Sequence, residues 1–311
     1  MDFIAIFIGL VLLIKGGELL FDGSIAFSLK LNIPKFIVGM TVVSIATSAP
    51  EFIVSIQAAL MGYPDLALGN VIGSNLANIA LVLGIIIIIT PIKVDKLFYK
   101  NDWPVMMIVT SIFIFLVSKD NYLGKTDGII LLLFLAFYFS YLFVFQRNRI
   151  DDSEINSFTT NFPFFKILSL MLFGSFFLWL GSEVLIKGAV NLASQIGISE
   201  RIISVSVIAF GTSIPELSTS IIAIINKEKG ISIGNLIGSN IIDMLGVIGI
   251  TVILAPITNL DQEFINNDLI WMISVAFILL PLLFLNKKLE FGRIEGIILI
   301  VVYVVFISKL F

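Results

Sequence analysis

The sequence of 311 residues contains no cysteine and no histidine, and only 13% of its residues are charged. The absence of cysteine excludes disulfides and thiolate metal sites, and it leaves the redox compartment open. The absence of histidine removes the commonest zinc ligand and the usual proton shuttle. The net charge of -3 gives no sign of nucleic-acid binding, and no nucleic-acid partner is expected.

Apolar residues, in contrast, are in large excess. They make up 58% of the chain, and the mean hydropathy is +1.08. A soluble domain cannot hide that much apolar surface, so we predict an all-α polytopic membrane protein whose surroundings are a lipid bilayer. The first residues, MDFIAIFIGL, have no basic segment and no small-residue cleavage site. They are therefore predicted to begin the first span and not to form a cleaved signal.

Ten segments reach the length of about 17–25 apolar residues that crosses the hydrocarbon core as a helix. A polar connection at 146–161 separates five of them from the other five, and it is too short to fold as a domain. We expect a five-helix repeat at 1–146, a cytoplasmic linker at 147–163 and a second five-helix repeat at 164–311. The ten predicted transmembrane helices are 3–28, 36–61, 66–90, 103–118, 127–146, 164–193, 201–226, 231–254, 269–286 and 293–310.

Lysine and arginine predict the orientation. With the N-terminus outside, thirteen of the 19 fall in inside loops, four fall outside and two lie within helices. Positive residues are concentrated on the cytoplasmic side of membrane proteins, so both termini are predicted outside and the central linker inside. A prokaryotic plasma membrane is the expected location.

The chain contains an internal duplication. IATSAPEF at 45–52 returns as FGTSIPEL at 210–217, an offset of 165 residues. Aligned without a gap, 39–84 and 204–249 are identical at sixteen of 46 positions, including Thr, Ser, Pro, Glu, Gly and Asn. Because five helices is an odd number, the second repeat should enter the membrane from the opposite side. Inverted repeats are a common plan of secondary transporters, with the substrate site at the midplane where the copies meet.

Pro50 and Pro215 interrupt predicted helices. Each removes one backbone hydrogen bond and clashes with the carbonyl four residues earlier. The freed carbonyls, those of Ala46 and Gly211, must find partners inside the protein, and a cation is one candidate. The oxygen-bearing side chains that share a face beside these breaks are Thr47, Ser48 and Glu51 in the first copy and Thr212, Ser213 and Glu216 in the second.

The second repeated motif is GNVIGSNLAN at 69–78 and GNLIGSNIID at 234–243. Its glycines are four residues apart, a spacing that lets helices approach closely. Its further oxygen ligands, at i and i+4, are Ser74, Asn78, Ser239 and Asp243. The copies differ in charge here, because Asn78 is neutral and Asp243 is acidic.

Glu51, Glu216 and Asp243 place three carboxylates near mid-membrane, where burial is expensive and a functional role is the default. Their neighbours are all oxygen donors, which suit Ca²⁺ and Na⁺ and not copper or zinc. We expect these ions as transported substrates, with no cofactor. Glu18 and Glu183 are also symmetric, but each has a lysine about one turn away, and internal ion pairs are predicted.

These motifs resemble the two α-repeats of the sodium/calcium exchanger family, part of the cation/Ca²⁺ exchanger superfamily. The resemblance is carried by GMTVVSIATSAPE, VSVIAFGTSIPE and the paired GN-x-x-GSN segments, and it covers nearly the whole chain. The resemblance implies that ions are coordinated by Thr, Ser and Glu of each TS-x-PE motif and by polar residues of the GSN helices. The positions to which this carries over are Thr47, Ser48, Glu51, Ser74, Asn78, Thr212, Ser213, Glu216, Ser239 and Asp243.

The expected site also includes Ala46, Ala209 and Gly211, which flank the two threonines. The family usually has a small residue three positions before the threonine, which Ala209 matches and Ser44 does not. It often has glycine directly before the threonine, which Gly211 matches and Ala46 does not. We expect modest effects of these departures on ion affinity.

The counter-ion stays open. The cation/proton branch of the superfamily typically has a histidine in its second motif, which is absent here, but carboxylates can also carry protons. Ca²⁺/H⁺ antiport is therefore the alternative to Na⁺/Ca²⁺ antiport. A cation channel could use the same oxygens but would not need proline-broken helices in inverted copies. A pump would need a nucleotide-binding domain, and no enzyme activity or protein partner is predicted.

The expected mechanism follows from charge. Three buried carboxylates cannot cheaply cross the membrane without compensation, so an empty site should resist occlusion. Ca²⁺ or several Na⁺ would neutralise it and allow access to switch, which gives obligatory exchange. Low pH should slow transport because protons mimic partial loading. The resemblance implies that the long first and sixth helices slide past a rigid core.

Overall fold

The computed structural model describes residues 2–31, 33–94, 96–120, 122–145, 162–195, 208–258, 260, 262, 264–285 and 289–310. Helices account for most of them. They are α1 Asp2–Leu31, α2 Lys35–Thr47, α3 Ala49–Leu60, α4 Pro64–Ile89, α5 Phe98–Lys119, α6 Lys125–Phe145, α7 Phe164–Gln195, α8 Ala209–Thr212, α9 Ile214–Ile225, α10 Lys229–Leu254, α11 Phe264–Leu285 and α12 Arg293–Leu310. The strands are β1 Ile92–Lys93, β2 Tyr122–Leu123, β3 Ile257–Thr258 and β4 Glu290–Phe291.

Several of these helices can cross a membrane. Within the described ranges, six are long and apolar enough to do so, and the bent pair α2–α3 raises the number to seven. Part of the predicted segment 201–226 lies outside the described residues, which resume at Ile208. The other nine predicted segments each fall on a helix or on the bent pair.

The segments predicted at 103–118 and 269–286 begin too late. The helices start earlier, with the π-helical turns Phe98–Asp102 and Phe264–Asp268. Hydropathy misses these turns because they read FYKND and FINND. Both aspartates are nonetheless buried, so the polar turns belong to the packed structure.

Four short strands form two sheets, and each sheet joins one strand of the first half to one strand of the second half. β1 pairs antiparallel with β4, with Ile92 opposite Phe291, and β2 pairs with β3, with Leu123 opposite Ile257. β1 follows α4, and β3 follows α10, the helix equivalent to α4. β1 and β3 thus occupy equivalent positions in the two halves, as do β2 and β4. Each strand pairs with the strand of the other half that is not its equivalent.

The longest helices, α1 and α7, pack against each other in opposite directions. A Cβ on Gly16 would lie 2.7 Å from the backbone nitrogen of Leu178, and one on Gly23 would lie 2.6 Å from Cγ of Met171. The backbones thus come so close that only glycine fits. The contacts advance along α1 as they recede along α7, which shows the antiparallel arrangement.

Helices α4 and α10 form the centre of the molecule, with 78% and 89% of their most apolar windows buried. The predicted close approach holds for the second copy of the glycine motif. A Cβ on Gly234 would lie 2.5 Å from the carbonyl oxygen of Phe36, and one on Gly238 would lie 2.6 Å from Cα of Met40. The small residues let α2 of the first repeat lie directly on α10 of the second.

Candidate cation site

Each TS-x-PE motif breaks a helix at its serine. α2 ends at Thr47 and α3 begins at Ala49, with a bend of 44°. Ser48 has φ -74° and ψ 4°, and Ser213 has φ -80° and ψ 0°, which are values of the region between helix and strand. The proline sits in the first turn of the following helix, where its missing N–H costs nothing. The local sequence thus ends one helix and starts another, and the break predicted at each proline motif is confirmed.

The two threonines reach across to the opposite repeat. The Thr47 hydroxyl donates to the Asn235 carboxamide oxygen at 3.0 Å, and the Thr212 hydroxyl donates to that of Asn70 at 3.2 Å. All four residues are fully buried. Each broken helix is therefore joined to the GSN helix of the other half by the same pair of residue types.

The serines of the GSN motifs lie against the same threonines. The Ser74 hydroxyl is 3.0 Å from that of Thr212, and the Ser239 hydroxyl is 3.4 Å from that of Thr47. The two sides are not identical, because Ser239 donates to Oε1 of Glu216 at 3.2 Å and Ser74 donates to the carbonyl of Ala209 at 3.4 Å. The hydroxyls consequently form two small clusters related by the duplication.

Three carboxylates are enclosed beside these clusters without cationic partners. Glu51, Glu216 and Asp243 are each 0% exposed, and their charges act directly on one another. Both oxygens of Glu51, both of Asp243 and Oε2 of Glu216 have no hydrogen-bond partner. The ion pairs formed among the described residues involve none of the three. A buried carboxylate without a partner is expensive, so the arrangement requires a compensating cation or proton.

Neutral oxygens surround the carboxylates. Ser48 and Asn78 are fully buried, and their side-chain polar atoms have no hydrogen-bond partner. The Ser48 hydroxyl faces both Glu216 and Asp243, and the Thr212 hydroxyl faces Glu51. In the described part of the chain, no three His, Cys, Asp or Glu side chains are placed to hold a metal ion by themselves. A cation bound here would need the hydroxyl and amide oxygens as well, which is acceptable to hard cations.

Backbone carbonyls supply further oxygens. The carbonyl of Ala209 lies 3.4 Å from the Ser74 hydroxyl, 3.1 Å from that of Thr212 and 3.2 Å from that of Ser213. Gly211 is buried and Ala46 is half-buried, each directly before its threonine. Together with the ten side chains above, these three backbone positions remain the predicted ligand set.

Asn70 and Asn235 occupy equivalent positions in the two repeats, and neither was among the predicted site residues. Besides accepting from the threonines, each donates to a buried serine: Asn70 to Ser55 at 3.0 Å and Asn235 to Ser220 at 3.3 Å. The signal was their spacing, four residues before the motif serine and so on the same helical face. Each asparagine fixes one threonine hydroxyl in the site.

Ser44, which departs from the family pattern, is also tied to the other repeat. Its hydroxyl lies 2.7 Å from the carbonyl of Gly39 and 2.9 Å from that of Asn235. Its counterpart Ala209 cannot make these bonds. The hydroxyl is thus used to anchor α2 on α10.

The predicted ion pairs at Glu18 and Glu183 are confirmed. Lys15 lies 2.7 Å from Glu18, and Lys187 lies 2.8 Å from Glu183. Glu18 and Lys187 are exposed and Glu183 is half-buried, and all lie on α1 and α7. The pairing accounts for these symmetric acidic residues without a role as ligands.

Comparison with known proteins gives consistent matches over the whole chain. A family model described as sodium/calcium exchanger protein matches residues 1–145 and 166–311. The inner membrane protein YrbG of Escherichia coli is 32% identical, covering 98% of this chain and 95% of that protein. The sodium/calcium exchanger MaX1 of Methanosarcina acetivorans is 27% identical, covering 100% of this chain and 98% of that protein.

Solved structures show the same fold. A structure of the sodium-calcium exchanger NCX_Mj soaked with zero Na⁺ and Ca²⁺ has a TM-score of 0.80 and 29% identity, covering 100% of this chain and 99% of that one. One soaked with Na⁺ and Sr²⁺ has a TM-score of 0.82 and 28% identity, covering 99% and 97%.

Proposed function

The chain belongs to the sodium/calcium exchanger family, and we propose that it exchanges Na⁺ for Ca²⁺ across a membrane by alternating access to the site between the two broken helices. The observation that carries the proposal is the set of three fully buried carboxylates without a cationic partner, Glu51, Glu216 and Asp243. The energy of such a site is acceptable only when cations or protons compensate its charge.

Charge explains why the proposed transport is an exchange and not a leak. An empty site would carry up to three buried negative charges through the bilayer, at a prohibitive cost. Ca²⁺ offsets two of them, and several Na⁺ can offset all three. The ion that leaves must therefore be replaced before access switches, and protons at low pH should slow the cycle by partial neutralisation.

The strand pairing supports ten transmembrane helices arranged as two inverted repeats, 1–146 and 164–311. With ten spans, β1 and β4 fall on one side of the membrane and β2 and β3 on the other only if the second repeat is inverted. A parallel repeat would put β1 beside β3. The observed pairs are β1 with β4 and β2 with β3.

The topology can be tested with single cysteines, because the chain has none of its own. Met61 and Asn226 are equivalent positions, each at an exposed turn after a broken helix. Met61→Cys should react with an impermeant thiol reagent from the outside and Asn226→Cys from the cytoplasm. Labelling of both from the same side would contradict the inverted arrangement and the proposed plasma-membrane orientation.

The function is tested by uptake of radiolabelled Ca²⁺ into proteoliposomes loaded with Na⁺ and diluted into choline, K⁺ or Na⁺ buffer, with a separate pH-gradient arm. Uptake that requires an outward Na⁺ gradient is the expected result, and the K⁺ arm reports potassium dependence. Uptake driven only by the proton gradient would replace the proposal by Ca²⁺/H⁺ antiport. Uptake that needs neither gradient would contradict exchange altogether.

A further inference from the structure

The hairpin formed by α9 and α10 in the second repeat carries two hydroxyls that the equivalent hairpin of α3 and α4 in the first repeat lacks. Thr219 and Ser232 in the second repeat stand where the first repeat has Val54 and Ala67. Thr219 lies one turn after Glu216 on α9, and Ser232 lies three residues before Asn235 on α10. Both therefore lie between the site and the turn at Glu228, which joins the two helices.

These two hydroxyls are buried and unused. Thr219 and Ser232 are each 0% exposed, and neither hydroxyl has a hydrogen-bond partner. A buried serine or threonine in a helix usually donates to the carbonyl four residues earlier, as Ser24 and Thr41 do here at 2.7 Å. Unpaired hydroxyls in a membrane core are unfavourable, and these two remain available to a polar species that passes along the hairpin.

Polar groups lie at both ends of the hairpin segment that carries these two hydroxyls. Glu228, just before α10, forms an ion pair with Lys35 at 2.7 Å, and both side chains are partly exposed. The carbonyl of Glu228 accepts the backbone N–H of Ser232 at 3.4 Å. At the far end, Asn235 donates to Ser220 at 3.3 Å, beside Thr219 in the sequence. Along the chain, the two hydroxyls thus fall between the partly exposed carboxylate at the turn and the polar groups of the site.

Helix α1 packs on α9 beside Thr219. A Cβ on Gly17 would lie 3.6 Å from the backbone nitrogen of Thr219 and 2.7 Å from Cδ1 of Ile222. The backbone of α1 thus covers α9 at this position. A change in the position of α1 would alter access to Thr219.

We propose that Thr219 and Ser232 are transient cation ligands on the cytoplasmic access route, a route whose extracellular counterpart at Val54 and Ala67 lacks hydroxyls. Each hydroxyl replaces part of the hydration shell of Na⁺ or Ca²⁺ as the ion moves between the Glu228 turn and Glu216. This inference rests on the proposed exchange. It implies that the access routes on the cytoplasmic and extracellular sides of the membrane differ. The cytoplasmic assignment follows from the lysines at this end, Lys35, Lys227 and Lys229.

The experiment replaces each hydroxyl by its counterpart in the first repeat, giving Thr219→Val, Ser232→Ala and the double variant. Half-saturating Ca²⁺ and Na⁺ are measured separately at each face in proteoliposomes of defined orientation, with equilibrium Ca²⁺ binding in detergent. Removing an unpaired hydroxyl leaves no new unpaired group, so folding should be retained, and thermal unfolding checks this. Thr251→Val is the matched control, because Thr251 is equally buried and unpaired but lies on α10 beyond Asp243.

Each single variant should raise the half-saturating concentration at the cytoplasmic face by about three- to tenfold, the effect of one lost hydrogen-bond-like contact per ion, and the double variant should raise it further. The extracellular value, equilibrium binding and the control should be unchanged. Equal changes at both faces, no change at either, or the same change in Thr251→Val would overturn the inference. A wild-type protein that shows no Na⁺-driven Ca²⁺ uptake would instead refute the proposed function, so the two failures are distinguishable.

Discussion

The wall of the site built by α2 and α3 carries Thr47, Ser48 and Glu51, and the wall built by α8 and α9 carries the same three residue types at the same spacing. Beside these identical motifs, several equivalent positions differ. Asn78 corresponds to the acidic Asp243, and Ser44 corresponds to Ala209. Shared and differing positions can therefore have separate roles. We propose that residues shared by the repeats enclose the ions, and that residues that differ set the charge of the site and the properties of each side.

The largest expected effect comes from the shared carboxylates. Glu51→Gln and Glu216→Gln should each lower Ca²⁺ affinity by about a hundredfold or more, since losing one partner of a buried charged pair costs about 3–5 kcal/mol. Both variants should fail equally in Na⁺-driven Ca²⁺ uptake, because each removes one wall's charge. Asp65→Asn, on an exposed turn of α4, is the control. Wild-type uptake by either glutamine variant would remove that glutamate from the site.

The unequal charge should matter differently for the two ions. Glu51 and Glu216 together balance Ca²⁺, so Asp243 is surplus until several Na⁺ bind. Asp243→Asn, which makes the second repeat match Asn78 of the first, should leave Ca²⁺ binding largely intact and lower the Hill coefficient for Na⁺. Calorimetric Ca²⁺ binding and the Na⁺ dependence of exchange measure the two effects. If Ca²⁺ binding fell as far as in Glu216→Gln, all three carboxylates would be Ca²⁺ ligands of equal weight.

The hydrogen bonds between the repeats, from Thr47 to Asn235 and from Thr212 to Asn70, test whether the two broken helices contribute equally to the site. Thr47→Val and Thr212→Val each leave one buried asparagine oxygen without its donor, Asn235 in the first case and Asn70 in the second. Each should lower the free energy of unfolding by about 1–3 kcal/mol and weaken Ca²⁺ binding by a similar amount. Thermal unfolding with and without Ca²⁺ measures both. Clearly unequal losses would show that one broken helix dominates the site.

Much of this arrangement could be predicted from sequence because the signals are local and duplicated. The offset of 165 residues located the repeat, and proline inside an apolar segment located each break. The roles of Asn70 and Asn235 could not be predicted with the same ease, because their partners lie on the other repeat. The contact of Asn235 with Thr47 depends on how α2 crosses α10, and close backbone approaches at Gly234 and Gly238, which no single segment encodes, fix that crossing.

The π-helical turns show a different limit. Phe98–Asp102 and Phe264–Asp268 were predicted to lie outside the membrane helices because their polar residues lower the local hydropathy. In the folded chain Asp102 and Asp268 are 2% exposed. Hydropathy averages over a window and takes no account of polar groups that are satisfied within the fold, so it places such helix starts too late.

The smallest effect should come from the pair Ser44 and Ala209, where only the first repeat has a hydroxyl. Ser44→Ala removes contacts of 2.7 Å and 2.9 Å to the carbonyls of Gly39 and Asn235, and it should lower the free energy of unfolding by about 0.5–1.5 kcal/mol. Because Asn235 holds Thr47 in place, a slightly weaker Na⁺ or Ca²⁺ affinity should accompany the loss. Ala209→Ser is the reciprocal change, and it tests whether a hydroxyl at the equivalent position of the second repeat has the opposite effect. If Ser44→Ala altered neither stability nor affinity, anchoring of α2 on α10 would rest on the glycine contacts alone.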